Sequence, residues 1–362
     1  MTMMKNKILK YLKSAGTALC LAGAALATLA SCNSVIYDYE GDCSVTYRLK
    51  FRYDRNLKWA DAFASEVRSV RLYAFDNDGT LVREFAESGS RLATDNYEMT
   101  LDLPAGNYHL VAWCGIDNEG AQPQFDVLPT TKLGSTRLGS LSCRLRRESH
   151  ELYPAKSDRR LEFMFHGELD VELPDDENGG DYTYTMPLTK NTNHIRVILQ
   201  HLSGEDLDVS KFGFRIEEAN GHYAHNNTLL EDETITYLPY AKLSGEAGVV
   251  LTGENTRADV VTVKTAIADL STVRMMADRT QNMMLTITDD EGTDVARIPL
   301  IDYALLTKDY YEDAYGRRMT NQEFLDREDD FTLTLFLDKG QRWIVARVYI
   351  NSWRVVQNDY DM

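Results

Sequence analysis

Hydrophobic and polar residues alternate along much of this chain with the two-residue period of a β-strand. The clearest example is residues 44–54, where one face of the predicted strand is apolar and the other is mostly basic. The apolar face carries Val45, Tyr47, Leu49, Phe51 and Tyr53. A strand with this pattern covers a core on one side and faces solvent on the other.

Further strand patterns follow, separated by residues that favour turns. Residues 70–75 and 80–85 are predicted to form a hairpin around Asp76-Asn77-Asp78-Gly79, because Gly79 can adopt the positive φ that a tight turn requires. The remaining predicted strands span residues 97–103, 108–114, 161–171, 182–188, 194–202, 212–217, 248–251, 260–264, 285–288, 295–301, 331–337 and 343–353. One short amphipathic helix is predicted over residues 57–67.

The composition changes at residues 173–181 (LPDDENGGD), where acids and paired glycines cannot help to build a core. We place a domain boundary there. Strands joined by short turns, with few helices, predict an all-β fold of two tandem antiparallel β-sandwich domains, residues 32–180 and 181–362. Residues 72–85 and 285–298 share a strand, an acidic turn with Gly-Thr and a second strand, which duplication and chance explain equally well.

Residues 1–31 are predicted to be an export signal that is removed from the mature chain. Four lysines and no acid precede a run of apolar and small residues at 15–30, which is too short to span a membrane as a stable helix. The run ends in Leu29-Ala30-Ser31-Cys32, which resembles the lipobox of bacterial lipoproteins. We therefore predict cleavage between Ser31 and Cys32 and acylation of Cys32. The alternative is an ordinary signal peptide cut near Ala30, with Cys32 as a free thiol.

Charge narrows the range of partners. The formal net charge of the 362 residues is −17, and loss of four signal lysines and no acids makes the mature chain −21. Such an acidic surface disfavours nucleic acids and anionic lipids as partners.

Three cysteines besides Cys32 would remain in an oxidising compartment: Cys43, Cys114 and Cys143. An odd number permits at most one disulfide among them, and the sequence does not select the pair. Three separate buried thiols are the alternative. None of the three belongs to a C-x-x-C pair, so a cysteine zinc site is not predicted.

One motif resembles an active site. Asp76-Asn77-Asp78-Gly79-Thr80 matches the D-x-D-G-T signature of haloacid-dehalogenase phosphotransferases, in which the first Asp is a nucleophile and the second a general acid. That chemistry requires a buried parallel strand that leads into a helix, whereas a second strand follows directly here. The hairpin interpretation is therefore favoured.

The other candidates for chemistry are weaker. His222 and His225 form an H-x-x-H without a third ligand at a useful spacing, which is typical of a polar loop. The acidic stretches 289–291 and 326–330 lack the spacing of an EF-hand loop and are interpreted as solvated surface. No nucleophile motif is recognisable. We therefore predict no catalytic residue, no metal and no cofactor.

Separated blocks of the chain resemble the FimB-type fimbrial anchor lipoproteins, the fimbrillin-associated anchors of type V pili. The blocks are CSVTYRLKFRYD at 43–54, ADAFASEVRSVRLYAFDNDGTLV at 60–82, PLTKNTNHIRVIL at 187–199, QEFLDREDDFTLTLFLD at 322–338 and YINSWRVVQNDYDM at 349–362. The resemblance extends over nearly all of the chain after Cys32.

This resemblance implies two transthyretin-like β-sandwich domains, attachment to the outer membrane by lipid, and a position at the base of a fimbrium. The expected partners are a fimbrillin shaft subunit and accessory fimbrial proteins, and the expected role is to attach the fibre and limit its length. Shaft subunits of this kind lose an N-terminal strand to a protease, whereas anchors generally retain it. The alternative is a surface adhesin or tip lipoprotein that binds glycan or protein.

The last predicted strand, residues 343–353, is either a core strand or part of the contact with another subunit. Its apolar pattern favours the core strand.

Overall fold

The computed structural model describes residues 44–176, 179–201, 205–251, 259–312, 316–337, 343–350 and 353–355. Its first ten strands are β1 (Val45–Arg52), β2 (Ser69–Phe75), β3 (Leu81–Ser88), β4 (Met99–Thr100), β5 (Gly106–Cys114), β6 (Phe125–Leu128), β7 (Ser142–Leu145), β8 (Lys156–Ser157), β9 (Phe165–Leu173) and β10 (Gly180–Lys190).

The later strands are β11 (Thr192–His201), β12 (Gly213–Glu218), β13 (His222–Ala224), β14 (Ile235–Tyr237), β15 (Ala241–Leu251), β16 (Asp259–Val273), β17 (Met284–Thr288), β18 (Asp294–Pro299), β19 (Asp330–Leu337), β20 (Trp343–Ile350) and β21 (Trp353–Val355). The described α-helices are short: α1 (Phe63–Glu66), α2 (Leu300–Leu305) and α3 (Asn321–Arg327).

The strands form four sheets. A seven-stranded sheet has the order β3-β2-β5-β9-β10-β1-β4, and a six-stranded sheet has the order β15-β16-β11-β19-β20-β21. A five-stranded sheet, β18-β17-β12-β14-β8, and a three-stranded sheet, β13-β7-β6, complete the fold. The predicted all-β fold class is confirmed. β20 pairs with β19, and β21 forms the end of that sheet.

Most strand pairs are antiparallel, as predicted, but two are parallel. β11 runs parallel to β19 over eight pairs, from His194 opposite Asp330 to His201 opposite Leu337. β14 runs parallel to β8. A parallel pair needs a long connection between its strands, and the chain supplies more than a hundred residues between β11 and β19.

Strands from both sides of residue 181 share the two smaller sheets. β8 lies beside β14, and β13 lies beside β7. The described residues of Thr46–Asp175 and Asp181–Met362 form one compact unit. In the other unit, which consists of Met1–Val45 and Asp176–Gly180, the backbone N–H of Gly180 donates to the carbonyl of Ser44. The division into domains 32–180 and 181–362 stays a prediction.

The core follows from the two-residue period of the strands. Residues that face one way along β2 and β5, such as Tyr73 and Trp113, are fully buried and join one hydrophobic cluster with Val197 of β11 and Phe331 of β19. Because both faces of β2 are buried, its sequence is almost continuously apolar rather than alternating.

The predicted helix over residues 57–67 is largely wrong, because only Phe63–Glu66 is helical. The side chains of Asn56 and Asp61 bind backbone groups there. Asn56 Nδ2 donates to the carbonyls of Tyr53 and Ala60, and Asp61 Oδ1 accepts from the N–H groups of Tyr53 and Phe63. These bonds hold the segment in turns, which is how Asn and Asp compete with helix formation.

Candidate functional site

The first strand is built into the seven-stranded sheet. β1 lies between β10 and β4, and its side chains Tyr47, Leu49 and Phe51 are no more than 6% exposed, as is Tyr53 directly after the strand. The Phe51 ring stacks on Phe63 at 5.7 Å between ring centroids. The alternating pattern predicted from the sequence is confirmed. The apolar side chains of the strand are part of the hydrophobic core.

The predicted lipidation and cleavage residues, Cys32 and Ser31, lie outside the described residues, as does Cys43. Cys114 on β5 and Cys143 on β7 are both buried and carry free thiols. Burial raises the pKa of both thiols well above its usual value, so they stay protonated and unreactive. Lipidation at Cys32 stays a prediction.

The D-x-D-G-T motif forms the turn of the β2–β3 hairpin. Asp76 Oδ1 accepts from the backbone N–H groups of Asp78 at 3.0 Å and Thr80 at 2.8 Å, and Gly79 has a φ of +71°. β3 pairs with β2 antiparallel directly after the turn. The Asp76 carboxylate therefore caps a tight turn, in agreement with the hairpin interpretation.

The acidic stretches also have structural partners. Asp289 Oδ1 accepts from the N–H groups of Glu291 and Thr293 in the turn between β17 and β18. Asp326 makes a two-pronged ion pair with Arg274, with both N–O distances at 2.7 Å. These carboxylates are already used within the protein, and Asp326 is not the solvated surface group that the sequence predicted.

A buried cation was not foreseen from the sequence. The Lys190 side chain, 3% exposed, pairs with Glu66 at 2.7 Å and with Asp329, and its Nζ lies 3.5 Å from the centre of the Phe163 ring. Lys190 ends β10, Glu66 lies in α1 and Asp329 precedes β19. The ammonium group therefore connects three separate segments.

The two histidines of the H-x-x-H segment contact different residues. His222 Nε2 lies 3.1 Å from the Ser142 hydroxyl. His225 Nδ1 instead lies 3.3 Å from Glu168 Oε1, and the same oxygen lies 2.7 Å from His109 Nε2. The structure thus brings His225 to partners that are remote in sequence and leaves His222 apart.

The His109, Glu168 and His225 side chains form what we call the histidine–carboxylate cluster. All three are partly buried, and their nitrogen and oxygen atoms lie within 4.8 Å of one another. The other ring nitrogen of His109 lies 2.6 Å from Asp170 Oδ1. His109 on β5 is directly opposite Asp170 on β9, and Glu168 is two residues away on the same face of β9. Sequence reasoning missed the cluster because it depends on this register.

The longest edge strand in the described sheets is β15. It pairs on one side with β16 over eleven residues, from Ala241 opposite Asp269 to Leu251 opposite Asp259. Leu243 on this strand is 47% exposed. An exposed edge strand presents unpaired backbone groups to which another chain can add a strand.

No helix among the described residues is long and apolar enough to cross a membrane.

These features define a protein built mainly from β-sheets, and comparison with known proteins identifies its family. Residues 39–359 match the family of fimbrillin-A associated anchor proteins Mfa1 and Mfa2. The chain belongs to this family, whose members are structural proteins of fimbriae. It is 24% identical over 335 residues, 90% of each chain, to the minor fimbrium anchoring subunit Mfa2 of Porphyromonas gingivalis.

Solved structures show the same fold. A candidate adhesin from Bacteroides thetaiotaomicron has a TM-score of 0.73 and 33% identity, covering 88% of this chain and 99% of that chain. A protein from the same species described as polysaccharide-binding has a TM-score of 0.70 and 30% identity, covering 87% and 99%. The fimbrial anchor protein Mfa2 from Porphyromonas gingivalis has a TM-score of 0.61 and 18% identity, covering 87% and 100%.

Proposed function

We propose that this chain is the lipid-anchored base subunit of a fimbrium. Cys32 carries the lipid that holds it in the outer membrane, and the folded part engages the first fimbrillin of the shaft. Membership of the anchor family supports this role, as does a relative named as an anchoring subunit.

The observation that carries the proposal is the position of β1. The strand begins at Val45, 13 residues after Cys32, and lies inside the seven-stranded sheet with its apolar face buried. A proteolytic cut after β1 would open the sheet and also separate the remaining chain from its lipid. A subunit that attaches a fibre to the membrane therefore has to keep this strand.

Retention of β1 also explains how the subunit limits fibre length. A subunit can join two neighbours in a fibre only if it has both a groove that accepts a neighbour's strand and a strand of its own to donate. With β1 in place, that position in the sheet is filled. The base subunit therefore offers no groove there, and polymerisation ends at it.

Strand addition at a free edge suits the contact with the shaft. It forms many main-chain hydrogen bonds at once, and alternate side chains give specificity. β15 is an edge strand of this kind. No chemical reaction is needed at such a contact, which agrees with a structural rather than a catalytic role.

The second candidate is an adhesin that binds glycan directly, favoured by the similar protein described as polysaccharide-binding. Glycan sites commonly present aromatic faces to solvent. Among the described residues, the exposed large aromatics are Trp59 and Tyr310, and the Arg327 guanidinium lies 4.0 Å from the centre of the Trp59 ring. This arrangement favours the anchor over the adhesin.

A protease site inserted between Cys32 and Val45 tests the proposal. Treatment of intact cells should release fimbriae that carry the folded part of this chain at one end, because only the lipid and the residues before the cut stay on the membrane. Cells with the unmodified chain, treated with the same protease, are the control. If the chain is released alone while the fimbriae stay on the cells, the anchor role is excluded and the adhesin is supported.

A further inference from the structure

The histidine–carboxylate cluster joins three segments that are far apart in sequence. His109 comes from β5, Glu168 from β9 and His225 from the turn after β13. We propose that these three side chains bind a divalent transition-metal ion, with zinc as the best match to the donor set. The inference is independent of the anchoring role.

The distances are close to those of a zinc site. Zinc binds histidine nitrogen and carboxylate oxygen at about 2.0–2.1 Å in tetrahedral geometry, which places neighbouring ligand atoms about 3.3 Å apart. His225 Nδ1 and Glu168 Oε1 are 3.3 Å apart. His109 Nε2 and Glu168 Oε1 are 2.7 Å apart, so this pair has to open by roughly 0.6 Å. A small side-chain rotation supplies that movement.

Asp170 supports His109 from the far side of the ring. Its Oδ1 lies 2.6 Å from His109 Nδ1 and accepts the proton of that nitrogen. With the Nδ1 proton held by Asp170, loss of the Nε2 proton would free that nitrogen to bind an ion beside Glu168. A carboxylate on the second nitrogen of a metal-binding histidine fixes the ring and makes the ligand more basic. The pairing of His109 with Asp170 across β5 and β9 provides this partner.

His225 is held in place by the turn that carries it. The His166 Nε2–H donates to the carbonyl of His225 at 2.6 Å. Asn227, with a φ of +64°, exchanges two amide hydrogen bonds with Asn191. Arg274 donates to the carbonyl of Asn227 at 3.0 Å. A ligand on such a supported turn is preorganised.

The donor set and its exposure select the kind of ion. Two imidazoles and one carboxylate suit zinc and its neighbours, whereas calcium and magnesium prefer all-oxygen sites. The His109, Glu168 and His225 side chains are 21%, 29% and 22% exposed. Solvent therefore reaches the cluster, so an ion can enter and water can complete its coordination. The ion would fasten β5 and β9 to the turn after β13.

Metal titration of the full chain in detergent, after treatment with EDTA, tests the site. We expect one zinc ion per chain, with X-ray absorption at the zinc edge that shows nitrogen and oxygen ligands and no sulfur. His109→Gln and His225→Gln should each weaken binding by about 100-fold or more. Asp170→Asn should weaken it about 10-fold, in line with the effect of second-sphere partners on metal affinity.

His222→Gln is the matched control, because His222 lies in the same H-x-x-H segment but contacts Ser142 instead of the cluster. It should bind zinc as the parent chain does. Asp170 is largely exposed, so its variant tests the site even if a histidine variant fails to fold. Absence of stoichiometric zinc binding, sulfur ligation, or equal losses in His222→Gln and His225→Gln would overturn the proposal and leave a hydrogen-bond network only.

Discussion

The buried Lys190 ammonium group forms ion pairs with residues from two other segments of the chain. This group is almost fully removed from solvent and is balanced by Glu66 and Asp329, with the Phe163 ring beneath it. Desolvation of a buried charge costs several kcal/mol. The attraction between the ammonium group and its carboxylate partners offsets that cost only while both the cation and the anions are present. Removal of the cation therefore leaves two carboxylates facing each other without compensation.

We expect Lys190→Met to lower the free energy of unfolding by about 3 kcal/mol, as measured by chemical denaturation. Arg83→Met is the control, because Arg83 pairs with Asp102 at the surface, where such pairs contribute about 1 kcal/mol or less. Similar stability of the parent chain and Lys190→Met would contradict a stabilising role for the buried ion pairs.

Glu328 gives the protein a dependence on pH. Burial raises the pKa of this carboxyl to about 7, and the charges of Asp329 and Asp330 add to the rise. The folded chain therefore holds a proton that the unfolded chain releases near pH 4.5. The stability that this proton contributes is complete below pH 4.5 and is lost as the pH rises through about 7.

Glu328→Gln keeps the neutral form at every pH. We expect its free energy of unfolding to lie within about 1 kcal/mol of the parent chain's at pH 5 and to exceed it by about 3 kcal/mol at pH 8. Denaturation at both pH values measures the difference. Parallel curves for the two proteins would show that Glu328 is ionised in the folded chain near neutral pH.

Among the elements, β1 is packed into the core by its apolar face. Phe51 is 1% exposed and stacks on Phe63, while its neighbour Arg52 is exposed. Phe51→Ala should lower the free energy of unfolding by about 3–5 kcal/mol, because it leaves a cavity in the core. Arg52→Ala, on the opposite face of the strand, should change it by about 0.5 kcal/mol or less. Equal effects would mean that β1 is not packed as a core strand.

The two acidic hairpins have the same turn. Asp76 and Asp289 each cap the N–H groups two and four residues on, and Gly79 and Gly292 have positive φ. Because an asparagine oxygen can make the same bonds, Asp76→Asn should leave both thermal stability and fimbriation unchanged. Loss of a magnesium-dependent phosphatase activity in this variant would contradict the turn-only role.

β1 was predictable because its two-residue period records which side is buried, and the β2–β3 hairpin because Asp76-Asn77-Asp78-Gly79 marks its turn. α3 had a readable signal that was overlooked: the Thr320 hydroxyl accepts from the N–H of Glu323, and the pattern T-x-x-E is a capping box. The parallel pairing of β11 with β19 and the meeting of His109 with His225 depend on register and long-range topology. Single-sequence patterns do not specify these.

As a whole, the protein belongs to a family of fimbrial anchor proteins, and its proposed attachment is through a lipid on Cys32. The described strands form four sheets, and 12 residues lie between Cys32, the proposed site of the lipid, and β1. A diacylated cysteine that is also N-acylated anchors stably, because more than one chain is buried in the membrane. If Cys32 carries the proposed lipid, its substitution should release the fibre from the cell.

The role of Cys32 as the anchor is tested by comparing fimbriae on cells that carry Cys32→Ala with those on cells that carry Cys43→Ala, the matched control. Fibre length and the fraction of fimbrillin shed into the medium are measured for each variant and for the parent chain. The account predicts long or shed fibres with Cys32→Ala and normal, cell-bound fibres with Cys43→Ala. Normal, cell-bound fibres in the Cys32→Ala cells would contradict it.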